Sequence, residues 1–261
     1  MLFLLRNIRR KLLTGNQITT YLLYGIGEIF LVVIGILIAV SIDNWNEDRK
    51  QKIVEKKYFQ NLRNDLLTDD KRLTEMLEYS ANKVSASSRV MRSIKQDSVS
   101  SLYQFTSDMQ TLIFVDEFNP DQSTYNEMKS SGNLSTLQNE ELKLKLIGLQ
   151  SLYIEIQGMQ AHVRNDFNVF LENFELYVDW SRYYNLEKSD ITHQILAFDS
   201  TYIESHTLEL HQEIRALFRN KVFANNIFLL EINHGYWIER LTSTQSKVRE
   251  LIALIDEEIQ T

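Results

Sequence analysis

"YGIGEIFLVVIGILIAVSIDNWNE", residues 24–47, is almost wholly apolar yet carries a carboxylate, Glu28, near its front. Its central run, IFLVVIGILIAV (29–40), has no polar side chain at all. Extended to Tyr21 and Ile42, the stretch is 22 residues long. At about 1.5 Å per residue it would reach roughly 33 Å as a helix, against a hydrocarbon core of about 30 Å. Tyr21, Tyr24 and Trp45 lie at its two ends, where an aromatic belt sits. A buried helix of a soluble protein meets the same length test, and a signal peptide needs a small-x-small cleavage site that SIDNWNE does not offer. The reading is therefore a single transmembrane helix at 21–42, preceded by a basic amphipathic interfacial segment (1–20) and followed by a helical extramembrane domain (43–261).

The place of Glu28 on that helix is informative. At about 100° per residue, Gly35 and Ala39 fall about 20° to either side of Glu28, and Asn46 lies directly below it. Gly35-x-x-x-Ala39 is a small-xxx-small pair, the spacing that lets two membrane helices approach closely. A carboxylate on such a face is shielded from lipid when the face packs on another helix. No second span follows in the sequence, so the expected partner is another copy or another membrane protein. The competing reading is a Glu28 that snorkels or is protonated, about 10 Å by helix rise from the Tyr21 end.

Outward from the span, MLFLLRNIRRKLL mixes apolar residues with Arg6, Arg9, Arg10 and Lys11, a pattern that lays arginines on lipid headgroups. The first 20 residues hold no acid, so of the net −7 the remaining residues carry −11. A basic tip on an acidic body suits a membrane-proximal anchor and argues against nucleic-acid binding, which needs a broad basic surface. The C-terminal flank also carries Arg49, Lys50, Lys52, Lys56 and Lys57, but interleaved with acids. The undiluted first cluster favours a cytoplasmic N-terminus and, in a bacterium, a periplasmic domain anchored in the inner membrane.

The body reads as all-α. With 8 glycines and 1 proline there is little punctuation for hairpins, and with no cysteine there is no disulfide or thiolate site. The helix is expected to run on from Asn44 as a stalk. Phe59, Leu62, Leu66, Leu73 and Met76 follow a heptad-like spacing, with Asp69 interrupting one core position. SANKVSASSRVMRS (80–93) then weakens the pattern. Val99, Leu102, Phe105, Met109 and Leu112 form a second amphipathic segment ending near Pro120. Thr124 and Glu127 fit a capping box, and Gly132-Asn133 a left-handed stop, around a short helix. A long helix is expected over 139–180, a linker with a short helix over 181–206, and a last long helix over 208–259 through Leu217, Phe228, Leu229, Ile232, Leu241, Val248, Leu251 and Ile255. No stretch alternates long enough to predict a sheet. The expected architecture is an extended antiparallel helical bundle or coiled-coil-like domain on the span.

Chemistry is sparse in the sequence. His162, His193, His206, His211 and His234 lack metal-ligand spacing, and there is no phosphate loop or nucleophile elbow. Asp69-Asp70 and Asp116-Glu117 read as ordinary acidic pairs. Tyr177, Trp180, Tyr183 and Tyr184 read as packing rather than a groove. No catalytic residue, cofactor, metal or small-molecule substrate is expected.

The motif at 24–47 resembles the signature of the DUF6090 family, uncharacterised membrane proteins found mainly in Bacteroidota. The segment TYNEMKSSGNLSTL (124–137) and the terminal VRELIALIDEEI (248–259) are similar to further parts of that family. The resemblance implies that Gly27, Glu28, Gly35, Asn44, Trp45 and Asn46 belong to a family motif, and it implies no activity. Ser41-Ile42-Asp43 departs slightly from it. The expected function is a non-enzymatic scaffold or sensor that contacts membrane lipid and either self-associates or binds a membrane partner through Glu28, Gly35 and Ala39. The alternative is a homo-oligomer whose Glu28 carboxylates line an ion or proton path.

Overall fold

The computed structural model describes residues 17–174, 176–190 and 195–260. They form seven helices: α1 Gln17–Gln96, α2 Leu102–Ile113, α3 Ser123–Ser131, α4 Glu140–Phe174, α5 Ser200–Ser205, α6 Thr207–Phe218 and α7 Lys221–Gln260. Between α4 and α5 lie a short 3-10 turn, Trp180–Arg182, and an antiparallel hairpin of β1 (Tyr184–Asp190) and β2 (Ile195–Phe198). Apart from that hairpin the described fold is all-α. Arg6, Arg9, Arg10, Lys11 and His193 lie outside the described residues.

The chain divides into two units, Met1–Lys57 and Tyr58–Thr261, and α1 contributes residues to both. In the first unit, α1 is the one described helix long and apolar enough to cross a membrane, and none of its apolar window is buried within the chain. Such a surface is left for lipid or for another helix to cover.

The second unit is a bundle whose helix directions can be read from cross-links. Arg63 pairs with Asp256, Asp70 with Arg249, Thr74 with Gln245 and Ser88 with Glu231, so α1 and α7 run antiparallel. Moving from Asp69 to Lys83 on α1 shifts the partner on α4 from Tyr153 to Phe167, the same advance, so these two helices run parallel. α2 folds back antiparallel on α1 through Arg89–Asp108 and the contact of Tyr79 with the Phe114 carbonyl. The heptad stripe of α1 does face inward: Phe59, Leu62, Leu66, Leu73 and Met76 are all buried.

Two apolar cores result. The first joins that stripe to Phe118, Met128, Leu142, Leu146, Tyr153, Trp237 and Leu251. The second joins Ala86, Val90 and Phe105 to Phe170, Trp180, Leu217, Phe223 and Leu230. α1 continues unbroken through residues 80–93, because the small side chains of Ser80, Ala86 and Ser87 all face the interior.

Several expectations from the pattern need correction. α4 ends at Phe174, and the chain turns so that Trp180 stacks on the Phe174 ring, centroids 4.5 Å apart. The expected last helix is broken: α6 stops at Phe218, and the side-chain carbonyl of Asn220 accepts the Val222 N–H at 2.9 Å, capping α7. Phe228, Leu229 and Ile232 are exposed, and Phe223, Ile227, Leu230, His234 and Trp237 form the core side instead. The hairpin was hidden because it is short and its register shifts between Asn185 and Asp190, which spoils any alternation. Its end is held by the stacked rings of Tyr184 and Phe198, 4.7 Å apart.

The capping box at Thr124 is absent. α3 starts at Ser123, and its first amides are taken by Asp65, which accepts from Thr124 N–H, and by Asp121, which accepts from Ser123 N–H. The stop at Gly132 is as expected, with φ +81° and the Leu134 N–H closing on the Met128 carbonyl.

The orientation of α7 is open to direct test. Ile227→Ala should lower the stability of the bundle by about 2–4 kcal/mol, and Ile232→Ala by less than about 0.5 kcal/mol, in urea denaturation. Equal losses at the two positions would place the core on the wrong face.

Candidate functional site

On the span, Glu28, Gly35, Ala39, Asn44 and Trp45 are exposed, and Asn46 is half-buried. A methyl group added at Gly27 or Gly35 would meet nothing within 4 Å, so the small-residue face is open to a close-approaching helix. The hydroxyl of Ser41, next to the Ile42 end of the span, donates to the Leu37 carbonyl at 2.7 Å. The Arg49 guanidinium lies over the Trp45 ring, 5.8 Å from its centroid, a pairing suited to a headgroup layer. Tyr21 is exposed and Tyr24 half-buried.

Inside the bundle the structure brings together polar groups that the spacing alone did not mark as special. Asp69, fully buried, accepts the Tyr153 hydroxyl at 2.5 Å and the Asp121 N–H at 2.7 Å. Burial outweighs those hydrogen bonds and pushes its carboxyl up to about 6. Around it, Arg72 donates to the Asn119 carbonyl, and the side-chain carbonyl of Gln160 accepts the Phe118 N–H at 2.9 Å. The interrupted core position is thus a clamp on the loop that carries Pro120. The heptad break was the available signal for it.

Fourteen residues further along α1 sits Lys83, 1% exposed, with its ammonium donating to the Leu112 carbonyl at 2.9 Å. Burial draws it down to about 7. His234 of α7 is fully buried beside the Tyr79 ring, and burial together with the Lys83 charge holds it down to about 3. No spacing rule links residues on two helices so far apart in the chain, and nothing local singled out Lys83.

Among the described residues the remaining histidines do not converge. His162 is exposed, and His206 stacks on the Tyr202 ring, 3.9 Å between centroids. Among the described residues no group of three His, Cys, Asp or Glu side chains is placed to hold a metal ion. Trp180 and Tyr183 are buried in the second core, while Tyr177 stays largely exposed. An open groove of about 530 Å³ lies between α2, β2 and α5, lined mostly by Leu102, Tyr103, Leu196, Phe198 and Ile203, with Glu204 as its one ionisable carboxylate.

A family described as "Family of unknown function (DUF6090)" matches residues 28–159. The match begins at Glu28 and takes in Gly35, Asn44, Trp45, Asn46, the 124–137 segment, Asp69 and Lys83. Gly27, the basic stretch and the 248–259 helix end lie outside the matched residues. No curated protein and no solved structure matches the chain.

Because the Asp69 carboxyl is raised in the fold, the folded state holds its proton more tightly than the unfolded chain does. Its contribution is therefore complete below the ordinary value of 3.8 and is lost as pH rises through about 6. Asp69→Asn should flatten the stability profile between those pH values, a difference of about 3 kcal/mol across the window. Asp69→Ala, which strands the Tyr153 hydroxyl and the Asp121 N–H, should lack the same pH response and cost most at the acid end, about 2–4 kcal/mol at pH 4, with a smaller loss at pH 7. Urea titrations at pH 4, 5, 6 and 7 measure both.

Proposed function

The chain belongs to the DUF6090 family of unknown function, and on that premise we propose that it is a single-pass, membrane-anchored helical scaffold or sensor. Its span associates with a second copy, or with another membrane protein, through the face that carries Glu28, Gly35 and Ala39. The observation supporting this reading is the openness of that face. The span is unburied within the chain, and around Gly35 there is room for a neighbouring backbone. A second helix packed on those small residues removes the carboxylate beside them from lipid.

The orientation that goes with this reading puts the N-terminus in the cytoplasm and the bundle in the periplasm of a bacterial inner membrane. The undiluted basic cluster of Arg6, Arg9, Arg10 and Lys11 is the feature that supports it. The bundle then serves as the recruiting part. α7 supplies a suitable surface, since Val222, Leu229, Ile232 and Tyr236 form an exposed apolar stripe on its outer side. No catalytic step, cofactor or metal is part of the reading. An ion path lined by Glu28 is less well supported, because the Ser41 hydroxyl is turned back onto its own helix and the rest of the span is apolar.

The test is the mass of the full-length protein in nanodiscs or mild detergent, alone and with Gly35→Leu or Glu28→Gln. An oligomer in the wild type, weakened tenfold or more by each substitution (about 1.4 kcal/mol), is expected, with vesicle ion flux unchanged by Glu28→Gln. A monomeric wild type that also recovers no membrane partner on cross-linking would sink the reading, and a flux that depends on Glu28 would replace it with the ion path.

A further inference from the structure

Between the two apolar cores the bundle contains a layer of polar groups. Lys83 donates to the Leu112 carbonyl, and its ammonium otherwise faces the rings of Tyr79 and Phe167, at 5.2 and 5.5 Å. From α7 come His234, edge-on to Tyr79 at 5.9 Å, and Trp237, 5.6 Å from His234. Ser80 and Ser87 lie on the same inward face of α1. Among the described residues, neither serine hydroxyl, neither ring nitrogen of His234 nor the Trp237 N–H has a hydrogen-bond partner in the protein. Interiors rarely leave so many polar groups together without partners.

A buried lysine is normally met by a carboxylate. Here the candidates on every neighbouring element are engaged elsewhere. Asp108 of α2 is held by Arg89 through both oxygens, and Glu231 of α7 accepts from Ser88. Asp166 of α4 accepts from Asn233. In the loop after α2, Asp116 accepts the Glu117 N–H, and Glu117 pairs with Arg164. The Tyr79 hydroxyl donates to the Phe114 carbonyl and accepts from the Asp116 N–H. Among the described residues named here, the layer thus holds a lysine and an imidazole, and each neighbouring carboxylate is engaged elsewhere.

We propose that the Lys83–His234 layer is the seam at which the bundle opens, with α1 and α7 parting there as the layer takes up protons. The inference concerns the bundle alone and stands whether or not the span self-associates. Opening admits water, which solvates an ammonium or imidazolium that the closed layer leaves bare. The closed layer therefore binds fewer protons than the open one. For Lys83 this holds between about 7 and its ordinary 10.5, and for His234 between about 3 and 6.5. Within each window opening becomes easier as pH falls, about tenfold per pH unit. Asp69 has the opposite sign, but it sits in the first core against Tyr153 and not in the layer.

The experiment is amide hydrogen exchange on the full-length protein in nanodiscs, corrected for the intrinsic pH dependence of exchange. The seam segments 79–87 and 230–238 should exchange ahead of the flanking cores. Their opening equilibrium should rise about a hundredfold from pH 9 to pH 7. In Lys83→Met, which fills the site with an uncharged side chain of similar length, that rise should fall below threefold and protection at pH 7 should increase. His234→Phe should leave the rise from pH 9 to 7 in place and flatten the response below pH 6. A Lys83→Met protein that keeps the wild-type pH response, or seam amides no less protected than those around Leu146 and Leu251, would overturn the proposal. Should Lys83→Met fail to fold, the Cε resonance of Lys83 in the wild type decides. A midpoint near 7 that tracks opening supports the seam, and one near 10 rejects it.

Discussion

A polar group can leave water only if something in the protein takes over its hydrogen bonds or its charge, and α1 tests that constraint repeatedly. Along one inward stripe it buries Asp69, Ser80, Lys83 and Ser87 among leucines and phenylalanines. The rest of the bundle is arranged around how far each is compensated. Asp69 is compensated well: a tyrosine from α4 and a backbone amide from the α2–α3 loop converge on it. Lys83 is compensated poorly, by one carbonyl and two aromatic faces. The two outcomes divide the interior into a firmly tied first core and a second core across a weak layer.

That division also explains the loop around Pro120. It has no regular structure of its own, yet Phe118 at its centre is fully buried. Side chains from both parallel helices, Asp69 and Arg72 from α1 and Gln160 and Arg164 from α4, reach its backbone or its acidic residues. A backbone segment without its own ladder can be buried only when such donors and acceptors are supplied from outside. One member of each acidic pair in the region is therefore a piece of this clamp: Asp69 accepts the Asp121 N–H, and Glu117 pairs with Arg164.

The two units present different problems to their surroundings. The span offers an apolar surface with a small-residue face and one carboxylate, and nothing within the chain covers it. The bundle satisfies its own core but leaves an apolar stripe on the outer side of α7 and a polar layer within. A membrane-held scaffold that recruits through one surface and loosens through one internal layer is a use consistent with both. The anchoring surface belongs to the first unit, and the apolar stripe and polar layer both belong to the second.

Much was legible in the sequence because it depends on neighbours within a turn or two. The length and apolarity of 21–42, the heptad stripe from Phe59 to Met76 and the stop at Gly132 are all local, set by helix rise, periodicity and the freedom of glycine at positive φ. The inward face of α7 was not legible. Ile227, Leu230 and Trp237 on one side and Leu229, Ile232 and Tyr236 on the other are equally apolar, so periodicity has no basis for choosing. Packing against α1 and α4, after the break capped by Asn220, makes the choice. For the same reason only the tertiary structure singles out Lys83 and His234, and although the heptad break marked Asp69, only the fold supplies its partners. What a buried polar side chain becomes depends on groups from distant parts of the chain, and those meet it only when the helices fold together.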